Sequence, residues 1–402
     1  MSRKIIFLFA LAIAILILAC NGTPTDNDPE EGKLVVLSEP EGAFVFLDGT
    51  STSQTTPAEF DLDPKAYMVK VAKIGWIATP ESIRVNLLAD ETDTAFFELT
   101  PASDTAFIAV SANFDFVPIY INSVPTGELT PAMIPVPSGN FEVSVAGWVF
   151  DGNYSQTVSL TAGETTAVEF ELEFGNRVLI EEFTHVNCPN CPEAAEAVHQ
   201  VVDNFGGSVV AVEWHPQQSG GTDPFHQANP AIHDGRVSYY GFAGIPRVFV
   251  AGKQVPDPRS VSAITAYVNN YMSPDNDAQK VKIWGVAQNG GDLKIGIFAE
   301  GISVEGAFNI AVVEKSRHYA TAPGTNGMKD FYNVPMEFYS YPSAGTLALS
   351  SGVPQYIELS GMNIPTGGNP SDYSYIIWFQ RDDDDTYLPE EEILCSPGIL
   401  EF

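Results

Sequence analysis

The chain has 402 residues, enough for two to four domains, and carries 51 acidic against 19 basic side chains for a formal net charge of -32. That charge argues against nucleic acid or an anionic membrane surface as the main partner, and it suits an exported, soluble surface. Frequent Gly and Pro with abundant β-branched and aromatic residues indicate short strands and turns, and four cysteines (Cys20, Cys188, Cys191 and Cys395) are too few for a disulfide-dense scaffold.

Arg3 and Lys4 precede the apolar run 5–19, so residues 1–19 read as a signal peptide by charge and length. An uncleaved membrane anchor is the alternative, but the run is short for a span and no charged stop sequence follows. The run ends Ile17-Leu18-Ala19-Cys20, which resembles a bacterial lipobox. The resemblance implies cleavage before Cys20, lipid on that residue, and a protein anchored in the cell envelope. Asn21 after the cysteine points, by the same resemblance, to the outer membrane. Residues 20–32 are then the lipidated cysteine and a polar, acidic tether.

Residues 33–100 and 104–174 repeat one another with a period of roughly 73. Thr56-Pro57 recurs as Thr130-Pro131, Gly75-Trp76 as Gly147-Trp148, Phe97-Glu98-Leu99 as Phe170-Glu171-Leu172, and Phe46-Leu47-Asp48 is echoed by Tyr120-Ile121-Asn122. Alternating stretches between these anchors are strands with one buried face, so each copy is expected to be a small β-sandwich. Trp76 and Trp148 are expected in the cores. The first copy contains Ser38-Glu39-Pro40-Glu41-Gly42-Ala43 and so resembles the PEGA domain; the second has Phe116-Val117-Pro118 in place of the tetrapeptide. Neither copy carries a catalytic constellation, which suggests a spacer, with a weak glycan or cell-wall contact as the alternative.

The pattern changes at 176. A strand, Val178-Leu179-Ile180-Glu181-Glu182-Phe183, leads into Thr184-His185-Val186-Asn187-Cys188-Pro189-Asn190-Cys191-Pro192. Pro192 and the helix formers after it start a helix over about 192–205. Cys188 is expected at the N-terminus of that helix, where free N–H groups and the dipole favour a thiolate. Cys191 lies in reach of a disulfide. A second strand (209–214), a loop rich in Gly, Pro and Gln, a strand opened by Ile245-Pro246, and a helix over 260–271 complete 176–275.

This order, with Cys-x-x-Cys and Ile245-Pro246, resembles thioredoxin. The resemblance implies an α/β thioredoxin-like domain in which the Ile245-Pro246 bond is cis and both residues shape a substrate groove beside Cys188. It also implies that Glu182 is a buried acid accepting the proton of Cys191. Glu181 is the other candidate for the inward position. The string Glu181-Glu182-Phe183-Thr184 with Cys-x-x-Cys-Pro resembles a narrower group, exported thioredoxin-like proteins of Bacteroidetes-type outer membranes with a C-terminal β domain. Two departures stand out: a long connection between 214 and 239, and Asn187 where thioredoxins have Trp.

Two other uses of the cysteines stay open. They can form a static disulfide in an oxidising compartment, or bind a soft metal with His185, His215, His226 and His233, of which His215 is the best placed. The histidines lack a regular ligand spacing, and no metal or cofactor is expected. Residues 279–402 alternate again and read as an antiparallel β-sandwich, with Asp382-Asp383-Asp384-Asp385 in a solvated turn and Cys395 a buried apolar residue.

The whole reads as a multidomain chain of two small PEGA-like β-sandwich modules, an α/β thioredoxin-like domain and a C-terminal antiparallel β-sandwich. The expected function is thiol–disulfide exchange on the thiols and disulfides of exported proteins, with Cys188, Cys191, Glu182 and Pro246 catalytic, Ile245 and Pro246 binding substrate, and Cys20 lipidated. Oxidation or isomerisation is the favoured direction, because net reduction needs an outside electron supply. The rival is a surface binding or adhesion protein with a static disulfide.

Overall fold

The computed structural model describes residues 31–101, 104–147, 149–218, 221–288, 291–362, 364–365, 372–381, 395–396 and 398–401. The signal peptide, Cys20, nearly all of the tether, Trp148 and the Asp382-Asp383-Asp384-Asp385 run lie outside the described residues. Strands dominate, and four α-helices occur among the described residues. No helix among them is long and apolar enough to cross a membrane.

Each repeat is a β module of two facing sheets. In the first, Gly32–Glu39 sits between Ala58–Leu62 and a parallel Thr92–Pro101, while Phe44–Leu47 and Ala66–Ala72 lead the second sheet. The second copy repeats the parallel pairing between Thr105–Ala112 and Thr165–Phe170. The recurring residues have matching work. Thr56 and Thr130 are buried, and their hydroxyls accept from Ala43 N (3.1 Å) and Val117 N (3.2 Å). Asp48 and Asn122 share a positive φ of 51° and accept from the backbone N of Met68 and Glu142, each at 2.9 Å. Short polar side chains tolerate that left-handed turn, which is why Asp and Asn stand there. Trp76 is half-buried against the first module's core.

Residues 176–275 build a four-stranded mixed sheet. Val178–Phe183 lies between a parallel Val209–Trp214 and an antiparallel Arg247–Val250, with Lys253–Gln254 outermost. Helix α1 (Cys191–Phe205) makes the crossover and packs one face together with α4 (Val261–Tyr271). The segment after Trp214 is not the loop its Gly, Pro and Gln content suggests. It holds α2 (Pro224–Ala228) and α3 (Pro230–Tyr240), both begun by proline after Asp223 and Asn229.

The C-terminal region is β-rich, with one sheet centred on Asp292–Ala299 and another on the long Val304–His318 strand. Arg317 and His318 end that strand. Cys395 falls in a two-residue strand parallel to Val281 and Lys282, and its side chain lies outside the described residues. One continuous core joins this region to the middle sheet: Leu179, Phe183, Val212, Trp214 and Phe249 pack with Phe308, Ile310, Ile376 and Trp378. The second module is joined to it as well, through Phe114, Phe174, Trp284 and Phe298, with Trp284 Nε1 donating to Asp115 O at 2.7 Å.

Candidate functional site

Every residue of Val178–Phe183 is buried, because both faces of its sheet are covered. The pleat sends alternate side chains to opposite faces. Val178 and Ile180 lie against α1 and α4, and Leu179 and Phe183 lie against the shared core. Glu182 therefore faces the α1 side and Glu181 the other, so both candidate acids have left water.

Glu181 is fully occupied. Its carboxylate accepts from Arg236 Nε (2.6 Å) and Nη2 (2.8 Å), from Trp214 Nε1 (3.0 Å) and from the Tyr240 hydroxyl. This is a buried ion pair with its hydrogen-bond partners in place. Glu182 is the opposite case: it is 0% exposed and neither carboxylate oxygen has a hydrogen-bond partner. Its register partner across the parallel pair is Glu213, whose Oε1 lies 3.1 Å from His199 Nε2 on α1. Burial, then the charge of Glu213, pushes the Glu182 carboxyl well above the usual range. Burial also works against the Glu213 charge, but the His199 hydrogen bond and the nearby His215 hold its carboxyl below the ordinary value. The two acids are thus driven apart, Glu182 toward binding a proton more tightly and Glu213 toward losing one.

Thr184 N bonds Trp214 O (2.9 Å), and the chain then leaves the sheet. Cys188 N bonds His185 O (3.0 Å) and Cys191 N bonds Cys188 O (3.3 Å), so the cysteine loop is a run of tight turns. Helix α1 begins at Cys191 with Asn190 as N-cap and Pro192 in its first turn. Cys188 therefore precedes the cap by two residues, where the sequence had placed it at the helix start. Cys188 and Cys191 form a disulfide, with an S–S distance of 2.15 Å and Cα atoms 5.4 Å apart, and are 1% and 0% exposed.

The cover over this disulfide comes from the C-terminal region. The connection 319–329, between Val304–His318 and Asp330–Tyr341, crosses the cysteine loop. Asn326 Nδ2 donates to His185 O (3.0 Å) and Cys188 O (3.2 Å), Asn326 N to Val186 O (3.1 Å), and Thr325 N to Asn187 Oδ1 (3.0 Å). Gly324 lies so close that a Cβ there would meet Val186 O at 2.2 Å. From the other side Asn187 Nδ2 donates to Thr222 O (3.1 Å).

Pro246 is buried after a cis Ile245–Pro246 peptide. The register pairs Phe183 with Arg247, so Pro246 sits one residue past the last pair, level with Thr184, at the sheet end from which the cysteine loop departs. Ile245 is half-buried and packs against the shared core.

The histidines form a hydrogen-bonded hub beside the loop. His215 Nδ1 lies 2.9 Å from Asp223 Oδ2, which also accepts from Val186 N (3.0 Å); Asp223 Oδ1 caps α2 at Phe225 N (2.9 Å). Burial opposes a charge on His215, but Asp223, and Glu213 at 3.9 Å from Nε2, outweigh it and raise its pKa. His233 Nδ1 accepts from His215 N (3.1 Å), and burial beside His215 pushes it down to about 3, so it stays neutral. His226 pairs with Asp234 (3.0 Å). Among the described residues no three His, Cys, Asp or Glu side chains are grouped to hold a metal ion.

Sequence reasoning missed the strap residues Gly324, Thr325 and Asn326, which carry no recognisable pattern. It also missed Asp223, Arg236 and Tyr240; Asp223-Pro224 and Asn229-Pro230 were legible helix starts that bring these three into place.

No curated protein is detectably similar to this sequence. Among solved structures, a protein of Agrobacterium tumefaciens is 16% identical, covering 57% of this chain and 96% of its own, with a TM-score of 0.43. HBP35 of Porphyromonas gingivalis is 15% identical over 57% of this chain and 76% of its own, at 0.42. GBS52, the minor pilin of Streptococcus agalactiae, is 10% identical over 36% of this chain and 96% of its own, at 0.16. These likenesses are too slight to carry an inference. A family model is more informative: the PEGA domain matches residues 31–103 and again 108–176, so the chain carries two PEGA domains ahead of the site.

Proposed function

We propose that residues 176–275 form a thioredoxin-like unit carrying out thiol–disulfide exchange on exported proteins. The observation that carries the reading is Glu182: a carboxyl with no partner, at 0% exposure, is costly to keep and calls for a use beyond packing. It lies on the sheet face covered by the helix that begins at Cys191.

In the reduced form, the Cys188 thiolate attacks a sulfur of the substrate disulfide. That S–S bond breaks, a mixed disulfide forms, and the first substrate sulfur leaves as a thiolate. The Glu182 carboxylate then takes the proton of Cys191, whose thiolate attacks Cys188 Sγ and releases the second substrate sulfur. A carboxyl whose grip on a proton has been raised toward that of a thiol is a matched acceptor. The same steps reversed oxidise a dithiol, with Glu182 returning the proton to Cys191. Pro246 and Ile245 border the approach to Cys188. We favour oxidation or isomerisation as the working direction.

Cys191→Ala tests this, since it leaves Cys188 unable to be resolved. The expected outcome is covalent adducts with exported proteins that dithiothreitol releases and that Cys188→Ser abolishes. Absence of adducts from Cys191→Ala in cells would reject exchange. The second reading, a surface adhesion protein with a static disulfide, is favoured by the burial of Cys188 under the 319–329 strap. For the anchor, we propose lipid on Cys20 and an outer-membrane location; Cys20→Ala should release the protein from membranes, and continued retention would refute it.

A further inference from the structure

A groove of about 520 Å³ opens between α3 and the C-terminal sheet. It lies within the size range of small-ligand sites. Its walls combine apolar surface from Ile232, Tyr239 and Phe338 with the uncharged polar side chains of Asn309, Ser340 and Gln380. Cross-strand pairing brings the polar three together: Asn309 stands opposite Ser340 on one side, and its neighbour Ala307 stands two residues back opposite Gln380 on the other.

Their hydrogen bonds run in one direction. Ser340 Oγ donates to Asn309 Oδ1 (2.7 Å), and Asn309 Nδ2 donates to Gln380 Oε1 (3.1 Å). That order turns the Gln380 amide so that Nε2 is its free end. Gln380 is 5% exposed, and Nε2 has no hydrogen-bond partner. A buried N–H donor left unmade is costly, and Gln380 is one of the residues that line the groove. At the other wall, Tyr239 is 38% exposed and its ring is held by the Arg236 guanidinium, 4.5 Å from the centroid. Arg236 is itself neutralised by Glu181, so the ring is positioned without a free charge behind it.

We propose that this groove is a carbohydrate site taking a neutral sugar unit, its ring stacked on Tyr239 and one hydroxyl accepting from Gln380 Nε2. The chemistry fits a sugar on each count. A pyranose offers an apolar C–H face to an aromatic ring and hydroxyls to amide and hydroxyl partners. The lining includes no carboxylate to match a cation. A net charge of -32 repels polyanionic chains. Arg381 also borders the groove, so anionic sugars are the natural counter-test. The site is independent of thiol exchange.

The test uses the full-length protein in mild detergent, with cellobiose, maltose and N,N′-diacetylchitobiose as neutral probes and digalacturonic acid as the anionic one. Side-chain amide resonances are followed by ¹H–¹⁵N NMR, with Gln380 assigned by its loss in Gln380→Leu. At least one neutral disaccharide should shift the Gln380 amide in a saturable way. Tyr239→Ala, an exposed substitution that leaves the fold intact by circular dichroism, should weaken that binding about tenfold, the scale of an aromatic stacking contact. No saturable shift with any neutral probe, a response to digalacturonic acid alone, or binding unchanged in Tyr239→Ala would each overturn the proposal.

Discussion

Glu181 and Glu182 are neighbours of the same type, yet the pleat gives them opposite chemistry. Glu181 meets Arg236, Tyr240 and Trp214 in a buried ion pair, whereas Glu182 meets no partner and binds a proton more tightly than a free carboxyl. The sign of the stability effect follows. A carboxyl raised above its unfolded value of about 4.3 binds more protons in the native state. Stability therefore falls as pH rises from about 4.3 toward the folded value. Glu182→Leu should stabilise the protein by about 1–3 kcal/mol at neutral pH, the scale of an unsatisfied buried polar group. The gain should shrink toward pH 4, where both states hold the proton, and disulfide exchange should slow. Thermal melts from pH 4 to 8 check this; a destabilised Glu182→Leu would mean that the carboxyl has a partner.

The strap over Cys188 and the α3 helix are the elements on which access and neighbourhood of the site depend. Asn326→Ala removes the side-chain bonds to the carbonyls of His185 and Cys188, and Gly324→Ala places a methyl against Val186 O. Either should speed reduction by dithiothreitol roughly tenfold, the equivalent of about 1.4 kcal/mol of lost cover. Rates equal to wild type, followed by free-thiol labelling, would show that the strap does not control access. Much at this scale was legible in the sequence. The strands Val178–Phe183 and Val209–Trp214 and the helix after Ser260 follow from apolar pattern and capping residues. Helix α3 was not, because its inward positions hold His233 and Arg236, which erase the apolar stripe that marks a helix. The strap was illegible for a different reason: its bonds run to backbone carbonyls about 140 residues away, and no local pattern encodes such a partner.

At the level of the whole molecule the domains share cores. The middle sheet covers one face with its own α1 and α4, but the other packs against the C-terminal sheet. Residues 176–275 expressed alone would expose Leu179, Phe183, Val212 and Trp214, which calls for aggregation or a molten state. Strong dye binding and a lost near-ultraviolet dichroism spectrum are expected, and a sharply melting, soluble fragment would contradict the shared core. The second PEGA domain is likewise held to the C-terminal region by Phe114 and Trp284.

The central claim is that the Cys188–Cys191 pair exchanges electrons with other proteins. Equilibrating the full chain against glutathione buffers and counting free thiols gives its reduction potential. The account predicts a midpoint between about -270 and -120 mV, the span of exchange-active dithiols. A pair that stays oxidised below about -300 mV, as structural disulfides do, would contradict it.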